Sequence, residues 1–195
     1  MGDRTTLTLS EGMDSMSENV FINIKNRSLS ITADVVIPQG GANGVLIAQG
    51  GRFGGWTFYL KDGKPIYCYN FLGLEEFKIA APNAVTAGKA TIRMNFDYDG
   101  GGAAKGGMVT ILVNGEKVAN GRIERTQPGI FSADETAAVG KDDSTPVTND
   151  YKERDNSFTG KIQKVVIDVK PVGAAVKAEA DAAKQDANLK KALTN

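Results

Sequence analysis

The sequence predicts an all-β protein, a two-sheet antiparallel sandwich of the jelly-roll type, followed by a C-terminal helical tail rich in Ala and Lys. Short runs of β-branched and aromatic residues alternate with polar residues, which is the period of strands with one buried face. Glycines, 23 among 195 residues, stand between these runs, where they are typical of tight turns. After Pro171 the composition changes to helix-forming residues. We therefore expect a sandwich domain over residues 1–170 and a helical or disordered tail over residues 171–195.

The first half of the chain contains six predicted strands. They are Arg4–Leu9, Val20–Ile24, Ser28–Ile37, Val45–Gln49, Trp56–Leu60 and Pro65–Phe71. In the third of them Leu29, Ile31 and Ala33 fall on one face, so this strand should have a buried side and an exposed side. Asp62-Gly63 separates the last two runs and predicts a tight hairpin, because this dipeptide suits a type I′ turn.

The second half adds four predicted strands and the tail. The strands are Lys89–Tyr98, Met108–Val113, Glu116–Ile123 and Lys161–Val169, and Asn114-Gly115 predicts a second hairpin between the middle two. The polar stretch Phe131–Asn156 is interpreted as a long surface loop with short extended pieces. In the tail, Asp186 and Lys190 form a favourable i,i+4 pair, but large apolar residues are few. This pattern favours a solvated tail, with a helix packed on the sandwich as the alternative.

The composition excludes several kinds of catalytic site and partner. The chain has no His, so it contains neither a Ser-His-Asp relay nor a His-ligated zinc. Its single cysteine, Cys68, cannot form an internal disulfide and has no histidine base, so we interpret it as a buried, inert thiol. Lys+Arg and Asp+Glu both number 23, and no apolar run is long enough to span a membrane. We therefore expect no nucleic-acid partner and no membrane partner.

A glycine loop offers a candidate ligand-binding site. Gly50–Gly55 carries Arg52 and Phe53 and leads directly into Trp56. A cation and aromatic rings beside a flexible loop could form a site for a sugar or a sulfate group, and Tyr59 is a further aromatic candidate on the following strand. The alternative is structural: Trp56 belongs to the core and Arg52 is solvated.

Two acidic clusters are candidate calcium sites. Asp97 and Asp99 make one cluster, and Asp142 and Asp143 begin the other. Calcium prefers carboxylate and carbonyl oxygens from irregular loops, although neither cluster has the EF-hand spacing. The alternative is that these aspartates are solvated turn residues. No cofactor other than calcium is indicated.

Eight segments, in order along the chain, match the pattern of one known family. They are Asn19–Asp34, Gly44–Pro65, Tyr69–Leu74, Phe96–Gly102, Val113–Gly115, Gly121–Ser132, Asp134–Val147 and Phe158–Asp168. Through them, nearly the whole chain resembles the C-terminal region of long bacterial arylsulfatases. The resemblance implies a concanavalin A/laminin-G-like sandwich, in agreement with the strand pattern. It also implies a non-catalytic accessory domain that packs on a sulfatase catalytic domain or borders its substrate entrance. The parent enzyme would be bacterial, and periplasmic or secreted.

The catalytic residues of that family have no counterpart in this chain. The sulfatase motif C/S-x-P-x-R is missing, since Cys68 is followed by Tyr69, Asn70, Phe71 and Leu72. We therefore predict that the chain is not itself an enzyme. The alternative function is a stand-alone, lectin-like carbohydrate-binding module that takes a sulfated or neutral glycan. Such a module requires exposed aromatic side chains beside polar groups.

Overall fold

The computed structural model describes residues 4–193 and contains eleven strands and one helix within that range. The strands are β1 (Thr6–Leu9), β2 (Leu29–Ile37), β3 (Gly44–Gly51), β4 (Gly54–Lys61), β5 (Lys64–Phe71), β6 (Glu75–Ala80), β7 (Gly88–Tyr98), β8 (Lys105–Val113), β9 (Glu116–Arg125), β10 (Ala137–Val139) and β11 (Lys161–Val169). The helix is α1 (Ala174–Leu193).

The strands form two antiparallel sheets, which confirms the predicted sandwich. One sheet has six strands in the order β1-β11-β2-β7-β8-β9, and the other has five in the order β10-β3-β4-β5-β6. The two faces that meet supply large, fully buried side chains, because alternate residues of each strand point inward. The central ones are Ile31, Ile92, Met94 and Ile111 of the six-stranded sheet and Trp56, Phe58 and Leu60 of the five-stranded sheet.

The predicted strand Val20–Ile24 is wrong, since these residues form turns and irregular backbone. Phe21, Ile22 and Ile24 are still buried in the core, where the Phe21 ring lies 6.3 Å from that of Trp56, whereas Val20 is exposed. The apolar run therefore reflects core filling without sheet pairing. Conversely, the structure contains a strand, β6, that the sequence interpretation did not predict. In β6 only Phe77 and Ile79 are buried, among charged neighbours.

The stretch Phe131–Asn156 is less exposed than predicted. It contains β10, which pairs with β3 and is buried at all three positions. Farther along, Asp142, Val147 and Asn156 are also buried. This stretch is therefore part of the folded body, although most of it has no regular secondary structure.

The outer face of the five-stranded sheet is covered by residues 141–157, here called the cover segment. Beneath it Val45, Ala48, Tyr59, Ile66 and Cys68 form a second apolar cluster, on which Tyr151 of the cover segment packs. Burial raises the pKa of the Cys68 thiol to about 12, as expected for an unreactive cysteine. The central strands of the five-stranded sheet, β3, β4 and β5, are thus buried on both faces.

Helix α1 contacts the sandwich near its first turns. Val176 is buried, and a carboxylate oxygen of Glu179 accepts a hydrogen bond from the Ala103 amide at 2.8 Å. The predicted pair is present, with Lys190 Nζ 2.8 Å from Asp186 Oδ2. The division into a domain and a tail at residue 170 stays a prediction. Within residues 4–193 no helix is both long enough and apolar enough to cross a bilayer.

The packing of the core predicts the effect of truncating Ile111. This side chain is fully buried between the sheets, so Ile111→Ala should lower the free energy of unfolding by about 2–5 kcal/mol. Met108 lies on the same strand with its side chain on the outer face, 37% exposed. Met108→Ala should cost less than about 1 kcal/mol in urea unfolding. Equal losses for the two variants would contradict the assignment of the two faces of β8.

Candidate functional site

A polar cleft with a volume of about 340 Å³ lies at one end of the five-stranded sheet. It is lined by Asn43, Gly44, Tyr59, Leu60, Lys61, Asp150, Tyr151, Lys152, Asp155, Asn156, Ser157 and Thr159. The start of β3 and the end of β4 form one wall, and the cover segment forms the other. The volume lies within the range of roughly 300–1,000 Å³ that is usual for small-molecule sites.

Strand alternation explains why Tyr59 and Lys61 reach this cleft. On β4 the side chains of Phe58 and Leu60 point into the core, so Tyr59 and Lys61 point to the outer face. Tyr59 would be exposed there without the cover segment. The ring of Tyr151 packs edge-on against it at a centroid distance of 5.4 Å, and Tyr59 is consequently 1% exposed.

Asp150 is held at the floor of the cleft by three donors. The Tyr59 hydroxyl donates a hydrogen bond to Asp150, and the ammonium groups of Lys61 and Lys78 each lie 3.3 Å from its carboxylate. Burial acts to raise the pKa of Asp150, but the hydrogen bond from Tyr59 and the two lysines outweigh it, so that this pKa is lowered. Asp150 is therefore a carboxylate over the whole neutral range. Lys78 also bridges to Glu76 at 2.8 Å.

Asp142 holds the cover segment together from within. Its Oδ2 accepts hydrogen bonds from the Val147 amide at 3.0 Å and from the Tyr151 hydroxyl at 2.6 Å. Asn156 donates to the Asp142 carbonyl at 3.0 Å and accepts from its amide at 2.9 Å. Burial raises the pKa of Asp142 to about 6, and these hydrogen bonds only partly offset it.

Gly44 lets the two walls of the cleft approach each other. Its φ is +100°, and a Cβ at this position would collide with the carbonyl oxygen of Ser157. The adjacent Val45 amide donates to the Asn156 carbonyl at 2.9 Å. A residue without a side chain is therefore needed where β3 meets the cover segment.

The structure separates the four predicted ligand-binding residues. Trp56 is fully buried in the core and its indole N–H donates to Gln49 at 3.0 Å, which is the arrangement that the structural alternative expects. Tyr59 lines the cleft, with its hydroxyl engaged by Asp150. Arg52 and Phe53 are exposed, but they lie at the other end of β4, beside Gly54. A binding role for any of the four stays a prediction.

The predicted calcium ligands do not come together as one site. Arg122 Nη2 donates a hydrogen bond to Asp99 Oδ2 at 2.6 Å, and this bond lowers the pKa of Asp99. Asp97 is exposed on β7, Asp143 is exposed, and Asp142 is buried. Among residues 4–193 no group of three or more His, Cys, Asp or Glu side chains is placed to hold a metal ion. Calcium binding stays a prediction.

The sequence interpretation missed several residues of the cleft, namely Asn43, Lys61, Lys152, Asn156 and Thr159. One signal was available for Lys61, because strand alternation places it on the same face as Tyr59. The others come from connections whose path no local pattern specifies. Thr159, for example, is fixed by a hydrogen bond from its amide to the Asn43 carbonyl at 2.9 Å.

No family model and no curated protein matches the chain. Solved structures do match it. The CBM40 module of the Ruminococcus gnavus IT-sialidase bound to α2,3-sialyllactose is 14% identical, with a TM-score of 0.54 over 90% of this chain and 96% of that one. The chain has the jelly-roll sandwich fold. The predicted two-sheet antiparallel jelly-roll sandwich is thereby confirmed.

Two larger proteins match in the same way. The NanB sialidase of Streptococcus pneumoniae gives 12% identity and a TM-score of 0.54 over 77% of this chain and 23% of that one. The leech intramolecular trans-sialidase gives 12% identity and a TM-score of 0.52, over 88% of this chain and 26% of that one. The sandwich thus corresponds to about a quarter of each larger chain. The comparisons lend no support to the resemblance to arylsulfatases.

The close approach at Gly44 predicts a strong effect of adding a methyl group. Gly44→Ala should destabilise the protein by about 2 kcal/mol or more, because the Cβ meets backbone that cannot move aside. Gly41 is the matched control, since its φ is +83° but no atom lies within 4 Å of its Cβ position. Gly41→Ala should cost only the backbone strain, about 1 kcal/mol. Thermal unfolding that ranks the two variants in the reverse order would contradict the packing of the cleft walls.

Asp142 predicts a characteristic dependence of stability on pH. The folded pKa of about 6 lies above the usual value, so the folded state holds a proton that the unfolded chain has already released. The free energy of unfolding should therefore fall by on the order of 2–3 kcal/mol as the pH rises from about 4 to about 7. In Asp142→Asn this fall should be missing, whatever constant offset the amide introduces. Urea unfolding across this pH range measures both profiles, and parallel profiles would contradict the assignment.

Proposed function

We propose that the chain is a non-catalytic carbohydrate-binding module and that its ligand occupies the cleft. The observation that carries the proposal is the lining of the cleft, where hydroxyl, amide, ammonium and carboxylate groups converge from two segments. A sugar presents many hydroxyl groups, each of which can donate and accept a hydrogen bond. A lining that mixes donors such as Lys152 with acceptors such as Asp155 suits such a ligand, and Asn43, Ser157 and Thr159 can act as both.

The cleft is also organised before any ligand arrives. Asp150 is fixed by Tyr59 and two lysines, and Asn156 is fixed by hydrogen bonds to Asp142 and Lys152. Side chains already held in place lose little conformational freedom on binding, which favours affinity for a small polar ligand. A module that binds a ligand without catalysing a reaction requires only such a set of prearranged hydrogen-bonding groups.

The comparisons support a glycan as the ligand class. A structural neighbour of nearly the same length is a carbohydrate-binding module bound to sialyllactose, a sugar that carries a carboxylate. Lys152 lines the cleft of this chain, is exposed, and has no ion-pair partner among residues 4–193. A charge-assisted hydrogen bond from this ammonium to a sugar carboxylate would give a sialylated glycan an advantage over a neutral one.

The accessory role beside a sulfatase catalytic domain remains the prediction of the sequence resemblance alone. The polar lining of the cleft supports a soluble ligand better than packing against a second domain, since the buried centre of a protein–protein contact is poor in charged residues. We therefore place the carbohydrate-binding function first.

Calorimetric titration with α2,3-sialyllactose and with lactose tests the proposal. The protein should bind sialyllactose more tightly than lactose, and Lys152→Ala should weaken sialyllactose binding by about tenfold or more, because one charge-assisted hydrogen bond is lost. Lys117→Ala is the matched control, since Lys117 is an exposed lysine of β9 on the other sheet.

Two outcomes would contradict the proposal. One is the absence of measurable heat with sialyllactose, lactose and a sulfated glycan alike. The other is a loss of affinity in Lys117→Ala as large as that in Lys152→Ala, because the cleft would then not be the site of contact.

A further inference from the structure

The end of the sandwich opposite the cleft carries a group of exposed apolar side chains, here called the tip patch. It consists of Phe53, Leu72, Leu74 and Ile130, which are 72%, 42%, 77% and 60% exposed. They come from three connections, namely β3–β4, β5–β6 and β9–β10. Because β4 runs from the tip to the cleft over eight residues, the two surfaces are about 25 Å apart.

The turns that carry the tip patch touch one another. A Cβ on Gly73 would lie 3.6 Å from the ring of Phe53, which places the β5–β6 turn against the β3–β4 turn. On the other side of Phe53, a Cβ on Gly54 would lie 3.2 Å from the carbonyl oxygen of Phe131, the residue after Ile130. The four side chains therefore belong to one surface.

A single buried amide holds these turns in place. Asn70 is 3% exposed and accepts a hydrogen bond from the Gly73 amide at 2.8 Å. Its Nδ2 donates to the Arg52 carbonyl at 3.1 Å and to the Val147 carbonyl at 2.8 Å. Leu72 has a φ of +57°, a backbone conformation that is costly for a leucine. The exposed Leu72 side chain is thus retained at a position where a glycine would have no backbone strain. Backbone strain of this kind concentrates at functional positions.

The backbone groups of the tip are already paired within the protein. The Leu74 amide donates to the Phe71 carbonyl at 2.9 Å, and the Arg52 amide donates to the Thr145 hydroxyl at 3.0 Å. These pairs add to those made by Asn70. Backbone that enters an apolar medium must have its polar groups satisfied internally, and the tip meets that condition at these positions.

Cations accompany the apolar side chains. Arg52 is exposed next to Phe53, and no carboxylate within residues 4–193 forms an ion pair with it. Arg125 lies over the ring of Phe71 at 4.6 Å and neutralises Glu75 at 2.9 Å. The β3–β4 and β5–β6 turns therefore present apolar side chains, the unpaired cation of Arg52 and the carboxylate of Glu75, which already has a partner. Asp134, farther along the β9–β10 connection, is exposed and forms no ion pair among residues 4–193.

We propose that the tip patch docks on a phospholipid bilayer, with Phe53, Leu72 and Leu74 entering the interfacial region and Arg52 contacting lipid phosphates. Four partly exposed side chains present a few hundred Å² at most, whereas a stable protein interface needs roughly 800 Å² from each partner. Apolar side chains on separate protruding turns fit a deformable surface better than a flat protein face. The sequence-based expectation of no membrane partner rested on the net charge and on the absence of a spanning segment, and surface docking requires neither.

Co-sedimentation with vesicles of phosphatidylcholine and phosphatidylglycerol in equal parts tests this proposal. The full chain should sediment with these vesicles, and the double variant Phe53→Ser, Leu74→Ser should lose at least about tenfold in partitioning. Met108→Ser is the matched control, because Met108 is an exposed apolar residue of the six-stranded sheet. Arg52→Gln should weaken binding to the mixed vesicles more than binding to phosphatidylcholine alone. Urea unfolding establishes that each variant is folded.

Three results would overturn the proposal. These are no sedimentation with either kind of vesicle, equal sedimentation of the double variant and the wild type, and concentration-dependent dimerisation that the double variant abolishes, which would make a second copy the occupant. The outcome is independent of the cleft, since Lys152→Ala should sediment like the wild type. Failure here therefore leaves the carbohydrate-binding proposal standing, and the reverse also holds.

Discussion

The need to cover the outer face of the five-stranded sheet shapes the rest of this molecule. That face is apolar at its centre, where Val45, Ile66 and Cys68 surround Tyr59. An apolar sheet face left in water would lose the stabilisation that burial gives. The cover segment, residues 141–157, provides the burial although it has almost no regular secondary structure of its own. Its path over the sheet creates one wall of the cleft and braces the turns at the opposite tip.

Polar anchors hold the cover segment where a strand would use ladder hydrogen bonds. Asp142 and Asn156 hold it from within, and the carbonyl of Val147 is held by Asn70. Asp142, which is buried, and Asp150, which is half-buried, are compensated differently. Asp150 has two lysines beside it, while Asp142 has neutral hydrogen-bond donors. Asp150 therefore stays ionised at neutral pH, whereas the buried charge of Asp142 lowers the free energy of unfolding as the pH rises from about 4 to about 7.

Much of the fold could be predicted from local pattern, because strand alternation and Gly-containing turns are local properties. The strands around Asp62-Gly63 and Asn114-Gly115 follow from them directly. Alternation also indicates the burial of Trp56, which is in phase with Phe58 and Leu60. The run Val20–Ile24 was misleading because an apolar run says that side chains are buried and not how the backbone is paired.

The candidate site was less predictable, because it depends on contacts between residues far apart in the chain. Tyr59 and Asp150 are 91 positions apart, and Asn43 and Thr159 are 116 apart. No periodicity or spacing encodes which loop returns over which strand. The turn residues Arg52 and Phe53 could be recognised as exposed, but their separation from the cleft follows only from the direction of β4.

Amide chemical-shift mapping by NMR during titration with α2,3-sialyllactose tests the central claim most directly, since it reports where a glycan contacts the chain. The account predicts that the largest shifts cluster at residues 43–44, 59–61 and 150–159, with little change at the tip patch or on the six-stranded sheet. Shifts centred on the outer face of the six-stranded sheet or around Phe53, with residues 150–159 unmoved, would contradict it.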